Sequence, residues 1–144
     1  MYKRQYLGDV IEVASVHGSV TNGMLVSLYN NGTWYPVNQG DPNFSTCLLG
    51  IVYAINGSTG YVLLEGHVAI NDTSTASAYV AGAGFGLPVY IEDSTTTGTM
   101  STTVPTTTGG PNIVRVLGHC YQQNSGDVTK WMMKFRPSND WVEI

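Results

Sequence analysis

The sequence predicts an all-β fold, a compact β-sandwich or barrel of short antiparallel strands with an extended N-terminal arm and a long Thr/Gly loop. Three observations predict it. Apolar runs of strand length recur along the whole chain, turn residues separate them, and helical periodicity is almost absent because Gly, Pro or Asn-Gly interrupts nearly every candidate window. Many short strands at close spacing are the pattern of a sandwich or barrel rather than of alternating strands and helices.

Taken in order, Met1 to Gly8 reads as an arm and Val10 to Val16 as the first strand, so 1–20 forms an arm-and-strand segment ahead of a single β domain over 21–144. Met24 to Tyr29 and Trp34 to Val37 follow, joined by Asn31-Gly32, the dipeptide that tight hairpins favour. Asn38 to Thr46 carries Gly40 and Pro42 without β alternation and is expected to be irregular. Leu48 to Ala54, Tyr61 to Leu64 and His67 to Ile70 are the next strands, with Asn56-Gly57 and Thr59-Gly60 turning the chain between the first two. Leu87 to Ile91, Ile113 to Tyr121, Lys130 to Phe135 and Trp141 to Ile144 complete the set.

Between Ile91 and Ile113 lies Ser94 to Pro111, a Thr/Gly/Ser/Pro segment with no acidic or basic residue. Its threonines favour extended backbone, yet it lacks the apolar alternation that buries a face. A loop of that length is unusual inside a compact domain, so it is expected either to lie on a neighbouring subunit or to stand in solvent.

A weak internal similarity spans 21–70 and 84–136. Leu48-Leu-Gly-Ile-Val-Tyr53 aligns with Val116-Leu-Gly-His-Cys-Tyr121, and each is preceded by a Gly-x-x-Val strand and followed by a polar turn and another strand. Two readings stay open: two related β units packed face to face, or the reuse of common dipeptides in β structure. The Leu-Gly glycines are expected at a bulge or a close backbone approach.

At 144 residues the chain is one domain's worth, and 42% apolar residues is enough for a core. Only 11% of residues are charged, far below the roughly 25% of typical soluble domains. Such a chain is solvated by Thr, Ser, Asn and Gly, or buries surface in an assembly. Lys3, Arg4, Arg115, Lys130, Lys134 and Arg136 are its only basic residues, so Gln5 through Val114 has none. Nucleic acid is therefore excluded as the expected partner, because neutralising phosphates needs clustered Lys and Arg. No apolar run is long enough for a transmembrane helix, so no membrane is expected, and the N-terminus lacks the apolar core of a signal peptide. Cys47 and Cys120 are expected as reduced thiols, with a single disulfide as the alternative.

No chemistry stands out. His17, His67 and His119 have no metal-ligand spacing, so no metal is expected. There is no Gly-x-Ser-x-Gly elbow and no Cys/His signature. Glu92-Asp93 are sequential acids where a strand meets a loop, better read as solvated turn acids or a weak cation site than as a hydrolytic pair. Ala81-Gly-Ala-Gly-Phe-Gly86 lacks the lysine and the strand-to-helix context of a phosphate loop. We therefore expect no catalytic residue, no cofactor and no enzyme. Tyr, Trp and Arg anchor interfaces, which singles out Tyr2, Lys3, Arg4 and Tyr6 in the arm and Trp141 and Ile144 at the end of the chain. Thr102, Thr103 and Pro105 in the uncharged loop join them as candidate contacts. Trp34, Trp131 and Trp141 are each open to a core role, and an exposed aromatic row suits stacking on sugar rings.

Gly86-Leu-Pro-Val-Tyr-Ile91, Ser101-Thr-Thr103, Ile113-Val-Arg-Val-Leu-Gly118 and the closing Phe135-Arg-Pro-Ser-Asn-Asp-Trp-Val-Glu-Ile144 together resemble the β-rich virion proteins of tailed bacteriophages, above all capsid decoration (cement) proteins. The resemblance covers most of the chain after Val20. It implies a viral structural protein made in the host bacterial cytoplasm and placed on the outer surface of the head. There a homotrimer would bind the major capsid protein, bridge capsomers and stabilise the capsid. The alternative it leaves is a tail or fibre adhesin domain that binds host-surface glycans.

Overall fold

A computed structural model describes residues 6–38, 41–72, 77–92, 97–108, 112–125 and 128–144. Among them the fold is all-β: β1 (Tyr6–Val13), β2 (Leu25–Leu28), β3 (Trp34–Pro36), β4 (Leu49–Asn56), β5 (Thr59–Ala69), β6 (Val80–Ala81), β7 (Pro88–Ile91), β8 (Met100–Ser101), β9 (Ile113–Val114), β10 (Val116–Ser125), β11 (Val128–Phe135) and β12 (Val142–Glu143). One helical turn, α1 (Pro42–Ser45), interrupts them within the segment expected to be irregular. A mixed sheet runs β3-β2-β4-β5-β11-β10-β7-β8-β6, with β1 also paired to β5, and β9 and β12 form a separate two-stranded ribbon.

β5 organises the molecule. β1 pairs along it from Val13↔Gly60 to Tyr6↔Val68. Leu63 pairs with both Val10 and Ile51, and Val68 pairs with both Tyr6 and Met133. A strand has only two edges, so β1 takes one, and β4 and β11 share the other in succession. Between their two segments the β1 register jumps from Val10↔Leu63 to Asp9↔Glu65, which leaves Leu64 as an extra, bulged residue. Bulges bend strands, and this one separates a first lobe (β3-β2-β4) from a second (β11-β10-β7-β8-β6).

The lobes curl around one core. Leu25, Leu49, Ile51 and Leu63 of the first pack with Val89, Ile91, Met100, Leu117, Met133 and Phe135 of the second, all at most 1% exposed. Gly98 closes the curl: the Leu25 amide donates to its carbonyl at 3.0 Å, and its own amide donates to Val37 O at 2.8 Å. Its φ of 78° and the contact of its Cα face with Met24 leave no place for a side chain. A smaller core on the outside of the first lobe joins Val26, Trp34, Val52 and Val62 to Val13, Val16 and Val20 from the segment after β1.

Several expectations are corrected here. Tyr61 to Leu64 and His67 to Ile70 are not separate strands, because the glycine between them, Gly66, lies within β5 next to the bulge rather than in a turn. Ile113 to Tyr121 is split at Arg115, whose side chain turns inward to bond carbonyls. The end of the expected arm, from Tyr6 to Gly8, is already part of β1. The uncharged 94–111 segment is not a free loop where it is described, since Met100 and Ser101 form β8 and are buried.

The internal similarity has a topological counterpart. β2-β4-β5 and β7-β10-β11 are the same three-stranded arrangement, formed twice. The aligned glycines nevertheless face opposite ways. Gly50 pairs with Val26 on the small-core side, whereas Gly118 pairs with Val89 and Phe135 on the main-core side. The leucines before them, Leu49 and Leu117, both lie in the main core, so within the Leu-Gly match the leucines sit alike and the glycines do not.

Candidate interaction surface

The rarity of charge makes each charged group informative, and Arg115 is the only basic residue between Arg4 and Lys130. It sits between β9 and β10 with 6% exposure. Its Nε donates to Ser138 O at 2.7 Å, and its Nη1 donates to Ser45 O at 3.0 Å and Cys47 O at 2.8 Å. One side chain thereby joins the end of α1, the approach to β4 and the C-terminal segment. Burial pulls its pKa down, opposed by its attraction to Cys47. An arginine stays protonated regardless.

The guanidinium also carries the surface above it. The Trp141 ring lies 5.4 Å from its Cζ, in cation–π range. β12 follows immediately and pairs Val142 with Val114 and Glu143 with Ile113. Trp141 is 44% exposed, Val142 60%, and Leu48, next to the bonded Cys47 carbonyl, 50%. The Trp141 ring, held over a buried cation, is a pre-ordered contact that costs little entropy to use.

The candidate contacts fare unevenly. Trp141 stands on this surface, and Ile144, half-buried, donates its amide to Asn112 O at 2.9 Å. Thr102 is turned inward, its hydroxyl donating to Gly82 O at 2.6 Å and reaching Ala81 O at 3.3 Å. Thr103 is exposed. Pro105 is buried, between exposed Thr103 and Val104 on one side and exposed Thr106 to Thr108 on the other. Tyr6 enters β1 through its backbone. Tyr2, Lys3 and Arg4 lie outside the described residues. The sequence reading missed Leu48, Val142 and Arg115 itself; the isolation of Arg115 in an uncharged stretch was the available signal.

His67 Nδ1 lies 2.7 Å from the Tyr121 hydroxyl, and burial raises the pKa of that phenol. His17 stacks on Tyr35 with centroids 4.9 Å apart, beside Tyr29 and Phe44. Cys47 and Cys120 are free thiols, and burial pushes the Cys120 thiol up. Among the described residues no group of three or more His, Cys, Asp or Glu could hold a metal, and no helix is long and apolar enough to cross a membrane. Glu92 follows β7 and donates its amide to Thr99 O at 3.1 Å, while Asp93 is outside the described residues. The Ala81–Gly86 run is a turn that carries Phe85 outward.

Comparison with protein-family models, with curated proteins and with solved structures found no match.

Proposed function

We propose that the chain is a capsid decoration protein of a tailed bacteriophage, a homotrimer that binds the major capsid protein on the outside of the head and bridges capsomers. The observation that carries this reading is the exposed Trp141 ring held over the buried Arg115, whose Nη1 bonds the Cys47 carbonyl. Scarce surface charge and the resemblance of Gly86–Ile91 and Ile113–Ile144 to virion β proteins support it. A protein of this kind works by adhesion, and Trp-centred apolar contacts supply adhesion that salt does not screen.

The test is attachment to particles. Heads stripped of this protein are mixed with it and sedimented, and bound copies are counted by quantitative mass spectrometry. Saturation at hundreds of copies per head is expected, and Val142→Asp should abolish attachment without changing the melting temperature. Saturation at a handful of copies, or wild-type attachment by Val142→Asp, would reject the proposal.

A second reading, a tail or fibre module that binds glycans, is favoured by one observation: half-exposed aromatic rings set among polar side chains, as at His17, Tyr35 and Tyr29.

A further inference from the structure

Among the described strands the mixed sheet has three edges, β3, β6 and β1, and they differ. β3 is three residues long and ends on Pro36, which has no amide hydrogen. Its outer backbone is already engaged: the Trp34 amide donates to Ser15 O at 3.0 Å, and Trp34 O accepts from the His17 amide at 2.9 Å. β6 is two residues long, and the Asn71 side chain takes both backbone groups of Val80, accepting from the amide at 2.9 Å and donating to the carbonyl at 2.7 Å. Short strands, proline and covering groups keep a sheet edge from pairing with another chain. β1 has none of these. It is eight residues long without proline or lysine, and of the described elements β5 alone packs along it. Among the described residues no backbone bond joins β1 to any segment but β5. Gly8, Asp9, Ile11 and Glu12 are exposed along it.

Pairing with β5 uses the N–H and C=O groups of every second residue of β1, and the alternate set points away from the sheet. The bulged residue, Leu64, belongs to β5, so that outward row runs along β1 without an inserted residue. A second β1 strand can meet it antiparallel across a two-fold axis perpendicular to the sheet. Outward-pointing residues must then face outward-pointing residues, so the axis passes through one residue and its own copy, never between two. The two longest such registers centre on Asp9 and on Val10. Centring on Asp9 sets two carboxylates directly opposite, which is unfavourable. Centring on Val10 sets Leu7 against Val13, Asp9 against Ile11 and Glu12 against Gly8, with no like charges opposed.

From this geometry we infer that β1 is a self-association edge: two copies of the chain pair their β1 strands antiparallel about a two-fold axis at Val10, and the sheet continues from one molecule into the next. An isologous contact requires a surface complementary to itself. The even spacing of Leu7, Val10 and Val13 meets that requirement, since apolar residues oppose apolar ones on both sides of the axis. A strand of another protein gains the same backbone bonds but has no need of that symmetry. Asp9 and Glu12 act against the competing register and against other acidic strands. The inference does not depend on a head or tail location. A two-fold contact cannot close a ring of three, so where the proposed trimer forms, this edge joins one trimer to another.

The experiment follows the full chain from about 1 µM to about 1 mM by sedimentation velocity and by amide hydrogen exchange resolved to single residues. The unit present at the lowest concentration should double in mass, with a Kd on the order of 10–100 µM for so small a contact. Over the same range, exchange should slow about tenfold or more at every second amide of β1. Two variants test the register. Ile11→Asp sets a carboxylate against the partner's Asp9 on each side of the axis and should weaken pairing about tenfold. Ile11→Lys loses the same apolar group but sets an ammonium there, and should pair at least as tightly as wild type. Asp9→Lys added to Ile11→Asp should restore the pairing. The exchange pattern of the wild type stands whether or not the variants fold. The inference fails if no doubling occurs up to about 1 mM, or if doubling leaves the β1 amides unchanged. It fails equally if Ile11→Asp and Ile11→Lys weaken association alike. It fails too if the β1 amides slow only on stripped heads, because the edge then takes a strand of the capsid.

Discussion

Arg115 shows how much one residue can hold in a chain with few charges. Its three carbonyl bonds link the Ser45–Cys47 segment, the β9–β10 junction and Ser138. Replacing it by methionine keeps the aliphatic stem but leaves three acceptors without that donor, and a buried unsatisfied group costs about 1–3 kcal/mol. Arg115→Met should therefore lower unfolding free energy by about 3 kcal/mol in urea titrations. A change under about 0.5 kcal/mol would mean that water replaces the guanidinium at no cost. Two neighbours on β10 set the alkaline limit. Burial raises the pKa of Cys120 above its ordinary 9.0 and that of Tyr121 above 10.0. The folded form keeps these protons longer than the unfolded chain does, so their contribution is whole below pH 9.0 and is lost as pH rises above it. The urea midpoint should fall between about pH 8 and about pH 10, and less steeply in Cys120→Ala. An equal fall in that variant would exclude the thiol as a source.

At the scale of elements, strands were easy to read and their pairing was not. Alternation and turn dipeptides marked β2, β3, β4, β7 and β11 to within a few residues, because local backbone preferences and one-sided burial act within a single strand. β6 and β8, two residues each, carry no such signal; they exist because Ala81 and Ser101 meet across a parallel pairing. The bend of β5 was equally hidden, since a bulge is defined by the partner strand rather than by the bulged residue. Gly118 tests how tightly the second lobe is assembled. A Cβ there would collide with the Lys134 carbonyl and crowd the Phe135 Cα. Neither is a flexible side-chain end, so β10 and β11 would have to separate. Gly118→Ala should destabilise by about 2–3 kcal/mol, and a neutral result would show that the two strands slide freely. Gly32→Ala meets open space in its turn and serves as a control for positive φ alone.

For the whole molecule, the pairing of β1 along β5 decides how the arm is tested. Removing Met1 to Gly8 would strip Tyr6, Leu7 and Gly8 from their pairing with β5 and so confound anchoring with folding. Removing only Met1 to Gln5 spares that pairing. If the arm anchors the protein, this shorter deletion should reduce the copies bound per head with the melting temperature unchanged; undiminished attachment would end that role.

The sequence by itself determined that the chain is all-β and that Gln5 through Val114 carries no basic residue. Composition and short-range alternation carry those properties, and both are local. Only the tertiary structure decided that Trp34 is buried at 2% exposure while Trp141 stands out at 44%, that Pro105 is inside, and that Phe85 meets Trp131. The physical reason is that burial depends on what a second, distant strand places opposite a residue. A bulge at Leu64 and a closure at Gly98 made those choices, and neither is written in the residues they bring together.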